Sequence, residues 1–290
     1  MRWDGAVLGV PDASVVTVSS LPDRLPGGLV VGPHSQARSG ALLRVVPNVA
    51  RFMVTGGERI EVASEQDADP ANVLSYLHGG VRAALIHQRG DLPLHATTVL
   101  PPRGDGAVAI CGNSGMGKST LAAALVRQGW ALISDDLTRV TWDEQTPLAW
   151  PGSTGIKLMI DAADRLGLLP ESLERTAAGK VLMPVPANLN PVRLSSVIAL
   201  RDDPTLSWRV LKGAAALAML TQQTFRLHYV AALGVTTQHL QMTSRLAGAC
   251  LCTSLSRRFG VSALPRMLQT HPYSQGLDVS SARIAPSAKH

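Results

Sequence analysis

Short apolar runs with alternating polar positions fill residues 14–64 of the chain. Four of them, SVVTVSS, GLVVG, LLRVV and ARFMVTGGERIEVAS, are rich in β-branched residues and are broken by glycine and proline, which predicts short β-strands. In the last run, Gly56-Gly57 separates two alternating halves, and this predicts a β-hairpin. The start of the chain is therefore predicted to be rich in β-structure.

A helical pattern follows this region. Asp69 is suited to cap a helix and Pro70 to begin it. Four apolar residues then share one helical face, at spacings of three and four: Leu74, Leu77, Val81 and Leu85. We expect Gly79-Gly80 to weaken the helix locally and Gly90 to end it. Residues 1–88 are accordingly interpreted as a small β-rich N-terminal domain with a packing helix.

Strands and helices alternate after residue 88, which predicts an α/β domain over 89–271. LPLHATTVL, PPRGDG and AVAICG predict a strand, a turn and a second strand, and LAAALVRQ predicts a helix that ends at Gly129. WALIS and LSSVIAL predict two buried strands, and residues 214–248 have a mostly helical pattern. The Pro/Ser/Gly-rich tail, 272–290, is predicted to be flexible.

Composition narrows the class of protein. The formal charge is +6, but the basic residues are scattered and aromatic residues make up only 4%, so a nucleic-acid surface is not expected. No apolar run reaches the length of about 18 residues that a membrane helix needs. The N-terminus does not resemble a signal peptide, and the three cysteines form neither a disulfide framework nor a metal motif. A cytoplasmic protein without membrane contact is predicted.

The strongest chemical signal is CGNSGMGKST at 111–120, which has the spacing G-x-x-x-x-G-K-[ST]. In such a loop the glycines let backbone N–H groups turn toward a phosphate, Lys118 reaches the β- and γ-phosphates, and the Ser119 hydroxyl binds Mg²⁺. A chance glycine-rich turn is the alternative, but an apolar strand before the loop and a helix after it favour the nucleotide site. The candidate nucleotide-binding residues are Gly112, Asn113, Ser114, Gly115, Met116, Gly117, Lys118, Ser119 and Thr120.

Two adjacent carboxylates, Asp135-Asp136, close the strand that follows this helix. If that strand lies parallel beside the strand preceding the loop, both strands end at the edge where α/β sheets bind ligands. One carboxylate could then accept the proton of an attacking hydroxyl while the other holds Mg²⁺. An ordinary polar strand end is the alternative.

His95 is placed near the loop by the predicted hairpin. If the turn at 101–106 is centred at position 103.5, His95 lies opposite Gly112, because 95 + 112 = 207 = 2 × 103.5. A histidine there could orient or tune a catalytic aspartate. A structural strand histidine is equally compatible with the pattern, since a register slip of one residue would turn the side chain to the other face.

The order of these features, His95 in LHATTV, then CGNSGMGKST, then ISDDL, resembles the C-terminal catalytic domain of the HPr kinase/phosphorylase family. The segment VLSYLHGGVRAALIHQRGDLPLHA is similar to that of stand-alone HPr-kinase-like proteins, some of which occur with lasso-peptide biosynthesis and phosphorylate a serine of the precursor peptide. The resemblance is strongest over 70–140 and weaker up to residue 255, and the first 64 residues carry no comparably specific motif.

The resemblance implies a P-loop kinase domain of HPr-kinase type that uses ATP and Mg²⁺ and phosphorylates a serine of a peptide or small protein. It also implies that a homo-oligomer can form. Among the matched residues it implies that Asp135 is the base, that His95 assists it, that Lys118 binds phosphate, and that Ser119 and Asp136 serve Mg²⁺. Which aspartate of the pair is the base remains open at this point, as does the choice between ATP and GTP.

The sequence departs from the family after the aspartate pair. The bifunctional enzymes have an Arg-Gly-Leu-Gly signature where this chain reads WPGSTGIKLMI, so that Lys157 is the only cation nearby. The reverse, phosphorylase reaction is therefore an open question. Lys157 and Lys180 could instead contact the γ-phosphate or the acceptor, and for Lys180 a surface position is favoured.

Three functions remain open on the sequence. The first is a serine kinase for a peptide, which an exposed sheet edge of the N-terminal domain could bind by strand addition. The second is a small-molecule kinase of the same fold. The third is a regulatory nucleotide-binding switch with no phosphoryl acceptor.

Overall fold

The computed structural model describes residues 3–4, 9–103, 106–152, 154–176, 178–186, 188, 190–203, 205 and 207–257. Within this part the chain has a mixed α/β fold with a seven-stranded, a nine-stranded and a three-stranded sheet. The tail that the sequence predicts to be flexible, 272–290, lies outside the described residues. No helix in the described part is long and apolar enough to cross a membrane.

The first sheet confirms the predicted strands at the start of the chain. It has the order β1-β2-β7-β6-β5-β4-β3 and consists of β1 (Trp3–Asp4), β2 (Ser14–Thr17), β3 (Leu29–Gly32), β4 (Ser35–Arg38), β5 (Ala41–Val46), β6 (Ala50–Thr55) and β7 (Arg59–Ser64). The predicted hairpin at Gly56-Gly57 joins β6 to β7, and both glycines have positive φ, as such a turn requires. The edge strand β3 exposes Leu29 and Val30, but a peptide strand added there stays a prediction.

The predicted helix packs on this sheet in three pieces, α1 (Pro70–Tyr76), a π-helical turn (Leu77–Val81) and α2 (Arg82–Gln88). The Asp69 cap is confirmed, since its carboxylate accepts the N–H of Ala71 at 2.9 Å. The expected weakening at the glycine pair is also confirmed, because Gly79 leaves the helical region at φ −92°, ψ −112°. The core under this sheet includes residues from 229–235, so that the division between 1–88 and 89–271 stays a prediction.

The remaining strands are β8 (Leu92–Leu94), β9 (Ala96–Leu100), β10 (Ala107–Cys111), β11 (Ala131–Ser134), β12 (Thr138–Asp143), β13 (Thr146–Ala149), β14 (Gly155–Leu158), β15 (Glu174–Arg175), β16 (Val181–Pro184), β17 (Val192–Asp202), β18 (Ser207–Leu211) and β19 (Leu251–Arg257). The nine-stranded sheet has the order β11-β9-β10-β17-β13-β12-β8, with β19 also paired to β17 and β18 to β19. Strands β14, β16 and β15 form the small third sheet.

Helices cover both faces of the nine-stranded sheet. They are α3 (Lys118–Val126), α4 (Ile160–Arg165), α5 (Gly213–Gln222) and α6 (Thr236–Ala249). The apolar side of α3 packs with Val99 and Ile110 on one face, whereas α5 and α6 pack with Leu94 and Val197 on the other. Because β10 and β17 are parallel, the loop after β10 emerges beside the end of β17.

One expectation about the sheet needs correction. The strand that ends in the aspartate pair, β11, does not lie beside β10, because β9 lies between them and is antiparallel to both. Two antiparallel steps restore the direction, so β10 and β11 still end at the same edge of the sheet. β9 lies between them because the chain returns antiparallel to it as β10 before it enters α3, and β11 then pairs with the free edge of β9.

Candidate active site

The loop 112–117 has the backbone that its glycines predict. Gly112, Gly115 and Gly117 have φ of 146°, 83° and 79°, values that side-chain-bearing residues rarely adopt. Gly112 is also crowded, since a Cβ there would lie 3.2 Å from the carbonyl oxygen of Leu200. The chain therefore turns sharply against the end of β17 and enters α3 at Lys118. Asn113, Ser114 and Gly115 stay exposed at the tip of the loop, and Met116 and Thr120 are half-buried.

Lys118 lies at the start of α3 with its ammonium turned into the loop. Its Nζ donates to the carbonyl oxygens of Gly112 at 2.8 Å and Asn113 at 3.3 Å. Burial lowers the pKa of this side chain, and the nearby charge of Lys180 acts in the same direction. The loop thus holds a cation whose present partners are neutral carbonyl groups, beside the positive end of a helix.

Asp135 is buried beneath the loop, with 7% of its surface exposed. Its Oδ1 accepts hydrogen bonds from Thr97 Oγ1 at 2.7 Å and Ser119 Oγ at 2.9 Å, and its Oδ2 accepts the backbone N–H of Lys157 at 2.9 Å. Burial raises the pKa of this carboxyl group, and the three donors oppose the rise. Asp135 therefore connects the loop helix, β9 and β14.

Asp136 has the opposite environment, although it is the next residue. Its backbone has φ of 70°, which turns its side chain away from that of Asp135, and 58% of the side chain is exposed. Its Oδ1 lies 3.4 Å from Nε2 of His95. The hydrogen bond from His95 is the main cause that holds the pKa of Asp136 below its usual range, and the positive charges of Lys157 and Lys118 contribute. Asp136 is an accessible carboxylate that stays ionised at neutral pH.

His95 confirms the register predicted for the hairpin. β9 and β10 pair Ala96 with Cys111, so paired positions sum to 207 as expected, and His95 is the next residue beyond the ladder. Its backbone N–H donates to the carbonyl oxygen of Gln223 at 2.7 Å, and its ring meets the Phe225 ring edge-on at 5.4 Å. These contacts leave Nε2 directed at Asp136.

Gln223 and Thr97 are site residues that the sequence did not point to. Gln223 accepts the N–H of His95 with its backbone carbonyl and the N–H of Gly112 with its side-chain Oε1 at 2.9 Å. One residue at the end of α5 thus fixes both the histidine and the first glycine of the loop. No local pattern reveals it, because the contacts span more than a hundred residues of sequence.

The two candidate lysines differ in their relation to the aspartates. The backbone of Lys157 binds Asp135, and its side chain is exposed on β14, near enough to Asp136 to lower the pKa of that carboxyl group. Lys180 is half-buried, and its charge lowers the pKa of Lys118. The structure therefore brings Lys157 to the aspartate pair and leaves Lys180 at the loop side.

A cleft of about 380 Å³ opens beside the loop, on the side of β17. Its polar lining comes from the loop, the end of β17 and the end of α5, and includes Asn113, Arg201, Asp202, Gln222 and Gln223. The size and the mixed polar and apolar lining suit the sugar and base of a nucleotide whose phosphates lie in the loop.

The residues at the loop fit a magnesium ion. The Ser119 hydroxyl and the Asp135 carboxylate supply the hard oxygen ligands that Mg²⁺ prefers, at the positive end of α3 where phosphates would bind. The described residues contain no cluster of three or more His, Cys, Asp and Glu side chains for a metal, and Mg²⁺ at a nucleotide needs only one or two such ligands.

Comparisons with known proteins give a distant structural likeness only. No family model matches the chain, and no curated protein does. Among solved structures, the chain is similar to the Hpr(Ser) kinase/phosphatase from Coxiella burnetii, with a TM-score of 0.32 and 14% identity over 63% of this chain and 95% of that chain. This likeness is too distant to carry an argument about function, which rests on the geometry of the site.

Proposed function

We propose that the protein is an ATP-dependent kinase with a P-loop domain of HPr-kinase type, which transfers the γ-phosphoryl group to a serine hydroxyl of a peptide or small protein. The observation that carries the proposal is the division between the adjacent aspartates. Asp135 is buried and accepts a hydrogen bond from Ser119 of α3, whereas Asp136 is open to solvent and bound to His95. A phosphate loop with an accessible, ionised carboxylate beside it suits phosphoryl transfer to a hydroxyl group.

The environments of the aspartates support roles opposite to those that the family resemblance implies. Asp135 accepts the hydroxyl of Ser119, so we assign both residues to a magnesium ion bound with the nucleotide. When bound, the ion would neutralise charge on the β- and γ-phosphate oxygens. Asp136 is exposed and ionised, so we assign it the role of base.

A residue of this chain can be assigned to each step of the transfer. Backbone N–H groups of 112–117 and the Lys118 ammonium hold the phosphates. Asp136 accepts the proton of the serine hydroxyl as its oxygen bonds to the γ-phosphorus, while the bond from that phosphorus to the β,γ-bridging oxygen breaks and ADP leaves. His95 holds the Asp136 carboxylate toward the acceptor, and Gln223 holds His95 relative to the loop.

The acceptor we propose is a precursor peptide, such as a lasso-peptide precursor. This choice rests on the resemblance of the segment 73–96 to stand-alone HPr-kinase-like proteins. The cleft beside β17 is assigned to the nucleoside, which leaves the open side of Asp136 for the peptide.

Transfer of label from γ-labelled ATP in the presence of Mg²⁺ tests the function. The acceptors are serine peptides encoded beside the gene, and each is paired with its Ser→Ala control. Label on the serine peptide alone is the expected result. Label that appears only as free phosphate, at one rate with and without peptide, would favour the nucleotide switch, and label on a small metabolite would favour the small-molecule kinase.

The pH dependence of transfer tests the pairing of His95 with Asp136. The pKa of Asp136 is held below its usual value, so in the wild type kcat/KM should fall only at a pH below the usual pKa of an aspartate. In His95→Ala the hydrogen bond that lowers this pKa is lost, while the burial that raises it remains, so the acidic limb should move to higher pH. His34→Ala removes an exposed histidine of the turn between β3 and β4 and is the control. An acidic limb at the same pH in His95→Ala and the wild type would contradict the pairing.

A further inference from the structure

The π-helical turn between α1 and α2 presents bare backbone to the outside. A Cβ built on Gly79 would meet no atom within 4 Å, so the space in front of this turn is open. A Cβ on Gly80 would lie 3.3 Å from Nη1 of Arg44 and 3.6 Å from Nε of Arg226. The turn is therefore open to another chain at Gly79, whereas the buried Gly80 is enclosed by the guanidinium groups of Arg44 and Arg226.

Two series of contacts lead from this turn to the proposed base. On one side, Arg226 lies over the Phe225 ring at 5.4 Å, Phe225 contacts the His95 ring, and His95 binds Asp136. Leu137, which follows Asp136, is buried in the same core as the turn, so the aspartate and the turn belong to one packed region.

The second series runs through Lys157. Its backbone N–H donates to Asp135, the neighbour of Asp136, and its side chain is exposed on β14. Its charge also contributes to lowering the pKa of Asp136 and, after burial and Arg82, that of His78, which precedes the glycine pair. Burial is the main cause that lowers the pKa of His78 to about 4, so this histidine is neutral at physiological pH. We call the surface formed by His78, Gly79, Lys157 and Arg226 the glycine-turn surface.

The arginines of this region lack acidic partners. Among the described residues, Arg44, Lys157 and Arg226 form no ion pair, although other arginines of the same sheet pair with carboxylates. Arg44 donates only to the hydroxyls of Ser35 and Tyr229, and its Nε has no partner. Among the described residues, the charge of Arg226 therefore has no carboxylate partner, whereas the charge of Lys157 acts on Asp136.

We propose that the glycine-turn surface binds an acidic segment of the acceptor peptide, with carboxylate side chains close to the phosphorylated serine. The proposal rests on the proposed kinase function and adds the chemical class of the acceptor. Carboxylates complement the exposed guanidinium of Arg226 and the ammonium of Lys157, and the absence of a side chain at Gly79 lets a peptide backbone lie close to the turn. The serine would then reach Asp136 from the side opposite the phosphate loop.

Equilibrium binding of synthetic peptides to the full-length protein tests this proposal independently of transfer. The peptides have one length and a central serine flanked by Glu, Gln or Lys, and their Kd values are measured by fluorescence anisotropy. We expect the Glu peptide to bind at least about fivefold more tightly than the Gln peptide, because several exposed pairs each contribute a small factor. The preference should shrink as ionic strength rises.

Charge substitution at Arg226 identifies the surface. Arg226→Gln should bring the Kd values of the Glu and Gln peptides close together, and Arg226→Glu should favour the Lys peptide. In both variants the Kd of Mg-ATP should stay unchanged. Arg127→Gln is the matched control, because Arg127 is an exposed arginine at the far end of α3, and it should leave all the Kd values as they are.

Two results would overturn the proposal. One is equal binding of the Glu and Gln peptides by the wild type. The other is a loss of Mg-ATP affinity in Arg226→Gln with unchanged peptide binding, which would assign the cations to the nucleotide. The kinase function fails separately, if the wild type binds the Glu peptide but transfers no phosphate to any serine peptide.

Discussion

Asparagine in place of Asp136 is expected to lower kcat by about 10²–10⁴-fold and to leave the affinity for Mg-ATP nearly unchanged. The amide has the size of the carboxylate and can still accept a hydrogen bond from His95, but it cannot accept the proton of the serine hydroxyl. Asp136 is exposed and bound to His95, and although its charge acts on Lys118, the backbone of the loop and the Lys118 ammonium stay in place in the variant. Single-turnover transfer from labelled ATP gives the rate, and a binding titration gives the Kd.

The matched variant is Asp135→Asn, and its main effect should be on the affinity for Mg-ATP. Asp135→Asn places an amide among Thr97, Ser119 and the N–H of Lys157, where an N–H₂ group cannot replace an acceptor oxygen. It should weaken the affinity for Mg-ATP and lower the melting temperature. If Asp135→Asn abolished transfer with intact Mg-ATP binding, and Asp136→Asn did not, the roles implied by the family resemblance would be right.

The hairpin before the loop shows how much a sequence can predict. A turn of known centre fixes every cross-strand pair, so the sum of 207 followed from the positions of two apolar runs. The strands of the first sheet were predictable for a similar reason, since β-branched runs between glycines leave few alternatives. β4, with the sequence SQAR, was missed because it lacks β-branched residues.

The division of labour between the aspartates could not be predicted. Adjacent residues on a regular strand point to opposite faces, but here the strand has ended and the left-handed backbone of Asp136 sets its direction. Burial of Asp135 also depends on β14, whose backbone N–H it accepts. Composition and spacing contain neither piece of information.

Residues brought in from far along the chain form the rest of the site. Gln223 and Arg226 reach the loop and the glycine turn from the end of α5, and neither belongs to a motif. Sequence patterns report the short-range order of a chain, whereas these contacts depend on how α5 packs across the nine-stranded sheet. The phosphate loop and the aspartate pair were therefore predictable from their motifs, whereas residues that position them, such as Gln223, were not.

Methionine in place of Lys118 is expected to reduce kcat by about 10²–10³-fold and to weaken ATP binding, because the ammonium that faces the phosphates is lost. Methionine retains an unbranched apolar stem of similar length, so the packing of α3 should be kept. Burial already lowers the pKa of Lys118, which means that its charge is held at a cost in the nucleotide-free protein. The melting temperature without ATP should therefore be equal to or above that of the wild type.

Weaker ATP binding together with an unchanged melting temperature without ATP would show that Lys118→Met removes a phosphate contact and does not destabilise the fold. In Lys118→Met the rise in melting temperature that ATP causes in the wild type should disappear, since a ligand stabilises a protein only in proportion to its binding. Lys180→Met is the matched control, because the charge of this half-buried lysine lowers the pKa of Lys118 but the lysine lies outside the 112–117 loop in the sequence. If Lys118→Met and Lys180→Met lost ATP affinity to the same extent, the phosphates would be bound by the general positive charge around α3 and not by the ammonium held inside the loop.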